Sequence, residues 1–216
     1  MNKKSHLAYT SIVPEIKQNS SIRRVIILLH GYGSNMKDLA SLSEYIDDTE
    51  NLYVSINAPI KLVEFGPQSF AWFQIGATED VSQKNHAIQK STDLIIDTIN
   101  HIIDIFNVSS IPIILAGFSQ GGMMAMRIAL TSTQNFDGVA ALSSRLITKT
   151  SNKVNNLNFF ISHGIKDNVI DISEGRNTRD LLEKSGYTVK YQEYDMGHEI
   201  SADCLTDLTN WLKSIN

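Results

Sequence analysis

Short unbroken apolar runs that alternate with stretches of helical periodicity dominate this chain, and that alternation leaves few folds open. Residues 25–29 (VIILL) are apolar without interruption, as a strand is when both faces of its sheet are covered. Further β-rich runs lie at 52–56, 113–116, 138–142, 157–162 and 188–194, with helical patterns at 36–46, 88–106, 120–132, 173–185 and 202–213 between and after them. The order predicts a mostly parallel central sheet with helices on both faces. The clearest helix is 88–106, where Ile88, Ile95, Ile99, Ile102, Ile103 and Phe106 form one stripe and Asp93, Asp97, Asn100 and Asp104 fall between them. At 36–46 the expected stripe is Leu39, Leu42, Tyr45 and Ile46.

The length of 216 residues suits one domain at roughly 150 residues per domain, and no linker rich in Gly, Ser or Pro divides it. Residues 1–20 read as a polar lead, and 57–84 as a long loop with no regular element, a length that is usually functional. Lys and Arg total 19 against 23 Asp and Glu, a net charge of −4, which argues against a nucleic-acid partner. The first twenty residues carry no apolar signal core, no run approaches the ~18 apolar residues of a membrane span, and the single Cys204 can form neither an intrachain disulfide nor a paired zinc site. A cytoplasmic protein is expected, with Cys204 a buried small side chain on the last helix.

The sharpest local motif is Gly117-Phe118-Ser119-Gln120-Gly121, a G-x-S-x-G set between the run at 113–116 and an amphipathic helix. A serine on such a tight strand-to-helix turn stands clear of the sheet's carboxyl edge, and glycines two residues to either side let strand and helix pass closely. A hydroxyl is a weak nucleophile until a base takes its proton, so a histidine held by a carboxylate is required, in the chain order Ser, acid, His. His6, His30, His86 and His101 precede Ser119; His163 ends a strand ahead of the best acid; His198 lies in a loop between the last strand and the last helix. His198 is therefore the expected base, the competing reading being a structural loop histidine. Asp167, directly after the 157–162 strand, is the expected acid, with Asp171 and Asp195 as competitors and a turn or cap role as the alternative. Backbone N–H groups of Gln120 and of the loop after the 25–29 strand are the expected oxyanion donors. The loop His30-Gly31-Tyr32-Gly33 also resembles the start of a dinucleotide fingerprint, but Met36 stands where a third small residue is needed, and no phosphate-binding G-x-x-x-x-G-K-[ST] occurs. No metal or organic cofactor is called for.

The strings LLHGYGSN (28–35), AGFSQGG (116–122), SHGIKDNVI (162–170) and MGHEI (196–200) resemble the four signatures of the phospholipase/carboxylesterase family of α/β-hydrolases, which includes acyl-protein thioesterases and lysophospholipases. The resemblance implies an α/β-hydrolase fold with a minimal lid, Ser119 as nucleophile, Asp167 as acid, His198 as base, and Tyr32 and Gln120 as oxyanion donors. It also matches Ala71-Trp72-Phe73-Gln74-Ile75 to the family's Trp-aromatic-Asp segment beside the acyl pocket. Tyr32 replaces a frequent leucine, Gln74 the usual aspartate, Ser144 the usual glycine, and Asp171 a frequent proline. Phe65, Trp72 and Phe73, with Leu62, Val63 and Phe70 nearby, are expected to wall an acyl site, and Leu146 and Ile147 to add to it. The expected activity is two-step hydrolysis of acyl esters or thioesters on a small-molecule, lipid or protein-linked substrate. A peptidase or carbohydrate de-esterase on the same fold, and a non-catalytic binding protein, are the competing functions.

Overall fold

A computed structural model describes residues 6–14, 21–46, 50–76, 80–150 and 156–215. Nine strands and five helices follow one another as β1 (Tyr9–Ile12), β2 (Arg24–Leu29), α1 (Met36–Ala40), β3 (Asn51–Ile56), β4 (Ile60–Lys61), β5 (Phe70–Ala71), α2 (Val81–Phe106), β6 (Ile113–Phe118), α3 (Gln120–Thr131), β7 (Gly138–Leu142), β8 (Asn158–Gly164), α4 (Ile172–Lys184), β9 (Thr188–Tyr194) and α5 (Ala202–Ser214) among the described residues. Seven strands make one sheet in the order β1-β3-β2-β6-β7-β8-β9. Every neighbouring pair from β3 to β9 is parallel, and β1 alone runs antiparallel, against β3.

The period of two along a strand divides the core. On β2, Val25, Ile27 and Leu29 join a cluster with Ile95, Ile99 and Ile102 of α2, Met124 and Ile128 of α3 and Leu182 of α4. The intervening Ile26 and Leu28 face Leu39 of α1 and Cys204, Leu208, Trp211 and Leu212 of α5. Both faces of the parallel sheet are thus covered, as the apolar runs demand. The carboxyl ends of the central strands are left for loops.

Several expectations need correction. Part of the polar lead is strand β1, tied down by Asn57 N–H donating to the Ala8 carbonyl at 2.8 Å and by Leu7 N–H donating to Thr98 Oγ1 at 2.9 Å; four residues of mixed polarity on a sheet edge carry no alternation strong enough to read. Residues 1–5 and 15–20 of that lead lie outside the described residues. The helix expected at 36–46 ends at Ala40 and tightens into a 3₁₀ turn over Ser41–Glu44. Leu39, Leu42 and Ile46 are buried, but Tyr45, beyond the turn, is 64% exposed. The stretch 57–84 holds the antiparallel ribbon β4–β5 and the first turn of α2. That turn begins at an Asp80 cap, whose carboxylate accepts from Ser82 N–H at 3.0 Å, and its residues are too polar to extend the apolar stripe. β8 runs on to Gly164 and so places His163 within the strand.

Candidate active site

Ser119 caps α3 with φ 52° and ψ −117°, a backbone region that a residue with a Cβ occupies only when its surroundings enforce it. The enforcing contacts are short. A Cβ on Gly121 would lie 1.8 Å from the Leu29 carbonyl oxygen, and one on Gly117 would lie 2.3 Å from the Gly121 carbonyl carbon. Only glycine lets α3 start so close to β2 and β6. The Ser119 amide donates to Leu142 O at 2.9 Å, and its carbonyl accepts from Ser144 Oγ at 2.8 Å.

His198, in the loop after β9, brings Nε2 to 2.9 Å from Ser119 Oγ and Nδ1 to 2.7 Å from Asp167 Oδ2. An ionised carboxylate only accepts, so Nδ1 carries the proton and Nε2 presents its lone pair to the serine hydroxyl. Asp167 has a fully buried side chain, and its Oδ1 accepts from Val169 N–H and Ile170 N–H, each at 2.9 Å. Burial pushes its pKa up, but the hydrogen bonds from His198, Ile170 and Val169 outweigh that and hold it below the ordinary carboxylate value. The competing acids are otherwise engaged. Asp171 caps α4, accepting from Ser173 N–H at 2.9 Å, while Asp195 pairs with Lys166 Nζ at 2.6 Å.

The other histidines lie away from the serine hydroxyl. His30 is fully buried, with Nδ1 2.7 Å from Gly31 O and Nε2 accepting from Ala58 N–H at 3.0 Å. Desolvation lowers its pKa to about 4. His6 and His101 stack at 3.9 Å, and His86 is exposed on α2. His163 is buried, with Nε2 2.8 Å from the Ile170 carbonyl oxygen.

The loop after β2 is held in place by Gly33 N–H donating to Phe70 O and Phe70 N–H donating to Ser34 O, each at 2.9 Å. Tyr32 immediately precedes these anchors. Gln120, as the first residue of α3, has no intrahelical acceptor for its N–H. Its side chain has a role that sequence reasoning missed: buried, it accepts from Trp72 N–H at 2.9 Å and donates to the Phe73 carbonyl at 2.7 Å. Trp72 also donates its indole N–H to His30 O at 2.8 Å. Ser143, φ 45°, donates its hydroxyl to Glu199 O at 3.1 Å, next to His198. Among the described residues only Asn107, Ser119 and Ser143 combine a side chain with a positive φ. Nothing in the sequence beyond the serine pair itself marks Ser143.

A cavity of about 410 Å³ opens beside Ser119, with Ile75, Met123, Val169 and Ile170 as its apolar lining and Arg145 and Glu174 on its polar side. These two side chains form a 3.8 Å ion pair. None of the eight side chains expected to wall an acyl site is among the lining residues. Trp72 and Phe73 belong to the core at 0% and 3% exposure, and Phe65, 61% exposed, packs edge-on against Tyr32 at 5.7 Å. Leu146 packs against the core, as does Ile147. Aromatics in an unassigned loop were indistinguishable from a pocket wall until the Gln120 bridge turned their backbone into framework. Ile75 and Val169, 59% and 70% exposed, are the apolar side chains that face outward at the site. Among the described residues no group of three or more His, Cys, Asp and Glu side chains is arranged to hold a metal ion, and no helix is long and apolar enough to cross a membrane.

A family model described as phospholipase/carboxylesterase matches residues 10–216. The chain is 30% identical to acyl-protein thioesterase 1 of Candida albicans, covering 91% of this chain and 94% of that protein. It is likewise 30% identical to acyl-protein thioesterase 1 of Neurospora crassa, over 91% and 86%. In structure it is similar to esterase PE8, with a TM-score of 0.84 at 20% identity over 98% of this chain and 100% of that one. It is also similar to the Bacillus cereus carboxylesterase, with a TM-score of 0.81 at 16% identity over 97% and 95%.

Proposed function

Because the chain belongs to the phospholipase/carboxylesterase family of ester hydrolases and has the α/β-hydrolase fold, we propose that it cleaves acyl esters or thioesters through Ser119, His198 and Asp167. The observation that carries this reading is the continuous chain of contacts from Asp167 through both nitrogens of His198 to Ser119 Oγ, at 2.7 and 2.9 Å. Ser119 attacks the substrate carbonyl as His198 Nε2 takes its proton, and the carbonyl oxygen gains a negative charge. The N–H groups of Tyr32 and Gln120 are the donors for that charge, Gln120 aided by the positive end of the α3 dipole. His198 then protonates the departing alcohol or thiol, leaving an acyl ester on Ser119. Water, deprotonated by the same nitrogen, releases the acid and restores the serine. Asp167 keeps the imidazole in the working tautomer and stabilises its cation.

The acyl group would lie against Ile75, Met123, Val169 and Ile170, where each buried CH₂ contributes about 0.8 kcal/mol. A cavity of about 410 Å³ with a charged pair on one side favours a medium acyl chain. The lone cysteine and the acidic balance fit action in a reducing, cytoplasmic setting.

The test is a p-nitrophenyl ester assay beside labelling with a fluorophosphonate. Ser119→Ala should lower kcat by a factor on the order of 10⁶ and abolish labelling. A near wild-type rate in that variant would overturn the assignment.

A further inference from the structure

His163 is a buried, titratable side chain that the hydrolytic cycle does not use, and its surroundings are built around it. It lies on β8 with 0% exposure. Its Nε2 is 2.8 Å from the Ile170 carbonyl oxygen, and a carbonyl only accepts, so the ring donates there. The same nitrogen is 3.5 Å from Asp167 Oδ2, the oxygen that holds His198. On its other side, Nδ1 is buried without a hydrogen-bond partner and faces Gly175 of α4. A Cβ on Gly175 would come within 2.6 Å of Nδ1 and 2.9 Å of Cγ. Glycine inside a helix costs about 1 kcal/mol relative to alanine, so α4 gives up helix stability at the one point where the imidazole needs room.

The segment that His163 grips serves two purposes. Asp167 Oδ1 closes a turn by accepting from Val169 N–H and Ile170 N–H, while Val169 and Ile170 line the cavity beside Ser119. The acid and part of the substrate wall are therefore one short loop. Its own hydrogen bonds fix its curvature, and the bond from His163 on β8 to the Ile170 carbonyl anchors it to the sheet.

The geometry points to His163 as a positioning residue: its Nε2–H pins the Ile170 carbonyl and thereby sets Asp167 against His198 and the Val169–Ile170 wall beside Ser119. This rests on the hydrolase reading above, and it extends the working set beyond three residues. His163 makes no contact with a reacting atom. Its effect reaches the reaction through the orientation of Asp167 and the shape of the acyl wall.

Leucine and glutamine at 163 separate the donor from the volume. Leucine removes the N–H, whereas the terminal amide of glutamine reaches about as far as Nε2 and donates to the same carbonyl. His163→Leu is expected to lower kcat and the rate of fluorophosphonate labelling by about tenfold or more, with His163→Gln recovering to within about threefold of wild type. A readout that needs no substrate is the far-downfield NMR signal of the His198 Nδ1 proton shared with Asp167. It should broaden or shift in the leucine variant and persist in the glutamine one. Should His163→Leu fail to fold, Gly175→Ala provides the second arm. It favours the helix yet drives a methyl group into the imidazole, and should move the same NMR signal and slow labelling. Equal impairment of the leucine and glutamine variants would overturn the proposal, as would an unchanged His198 signal in both His163→Leu and Gly175→Ala. Wild-type protein that shows the His198 signal but neither hydrolyses nor labels would instead overturn the hydrolase reading.

Discussion

Asp167 is a carboxylate with a donor at each oxygen: His198 on Oδ2, and the Val169 and Ile170 amides on Oδ1. Asparagine there would keep the size, but its NH₂ group would face either the imidazole or the two amides. If it faces His198, Nδ1 must accept, and the proton moves to Nε2, where it can no longer receive one from Ser119. Asp167→Asn is therefore expected to lower kcat by a factor on the order of 10⁴ with little change in KM, measured on the same ester. Ser119 and Asp167 stand out as candidates from residue order alone, because the proposed chemistry demands fixed residue types at strand ends. Residue order suggests Gln120 as a backbone donor but gives no sign of the side chain that bridges Trp72 N–H to Phe73 O. A bond between a motif and a distant loop leaves no local trace in either. His163 is weighed in the sequence only as a base; its partner, the Ile170 carbonyl, belongs to the backbone and has no residue type to recognise.

At the scale of elements, what the sequence carried best was burial on two faces. β7 matches the expected 138–142, with all five residues buried, because strands inside a parallel sheet are apolar or β-branched along most of their length. Elements at the margin were harder. β1 (YTSI) is an edge strand, and the first turns of α2 carry an exposed Val81, so neither shows a period. The elbow imposes the strictest local requirement. Gly121→Ala would force a methyl group to within 1.8 Å of the Leu29 carbonyl, an approach that backbone atoms cannot yield to without separating α3 from β2. The expected result is a loss above about 4 kcal/mol, at the severe end for single substitutions, seen as absent or non-cooperative unfolding in a denaturant titration. Alanine at exposed Gly76, where a Cβ meets nothing within 4 Å, is the matched control and should melt like wild type.

For the whole molecule, acid sensitivity follows from His30. Its folded pKa of about 4 against an ordinary 6.5 means that the unfolded chain takes up a proton near pH 6.5 while the folded chain does not until about pH 4. The contribution of His30 to stability is therefore complete above pH 6.5 and is lost as pH drops through that window, by about 3 kcal/mol in all. Urea unfolding at pH 7 and pH 4.5 should register the decline. His30→Gln, although less stable at neutral pH, should show a shallower slope. Cys204, buried on α5, has its thiol pushed up to about 11 by desolvation, so a thiol reagent should label it only as fast as the molecule unfolds.

The sheet register has a kinetic consequence. Val25 pairs with Ile113, and Asn158 with Thr188, so the central strands join only after long stretches of intervening chain have been brought together. Such non-local pairing is slow to form, whereas helices appear early. Ser119, Asp167 and His198 each hang from a different strand end, and their alignment waits on the last of these pairings. During refolding from denaturant, recovery of ester cleavage should lag behind recovery of helical circular dichroism. The enzyme's own turnover then serves as a clock for the final closure of the sheet.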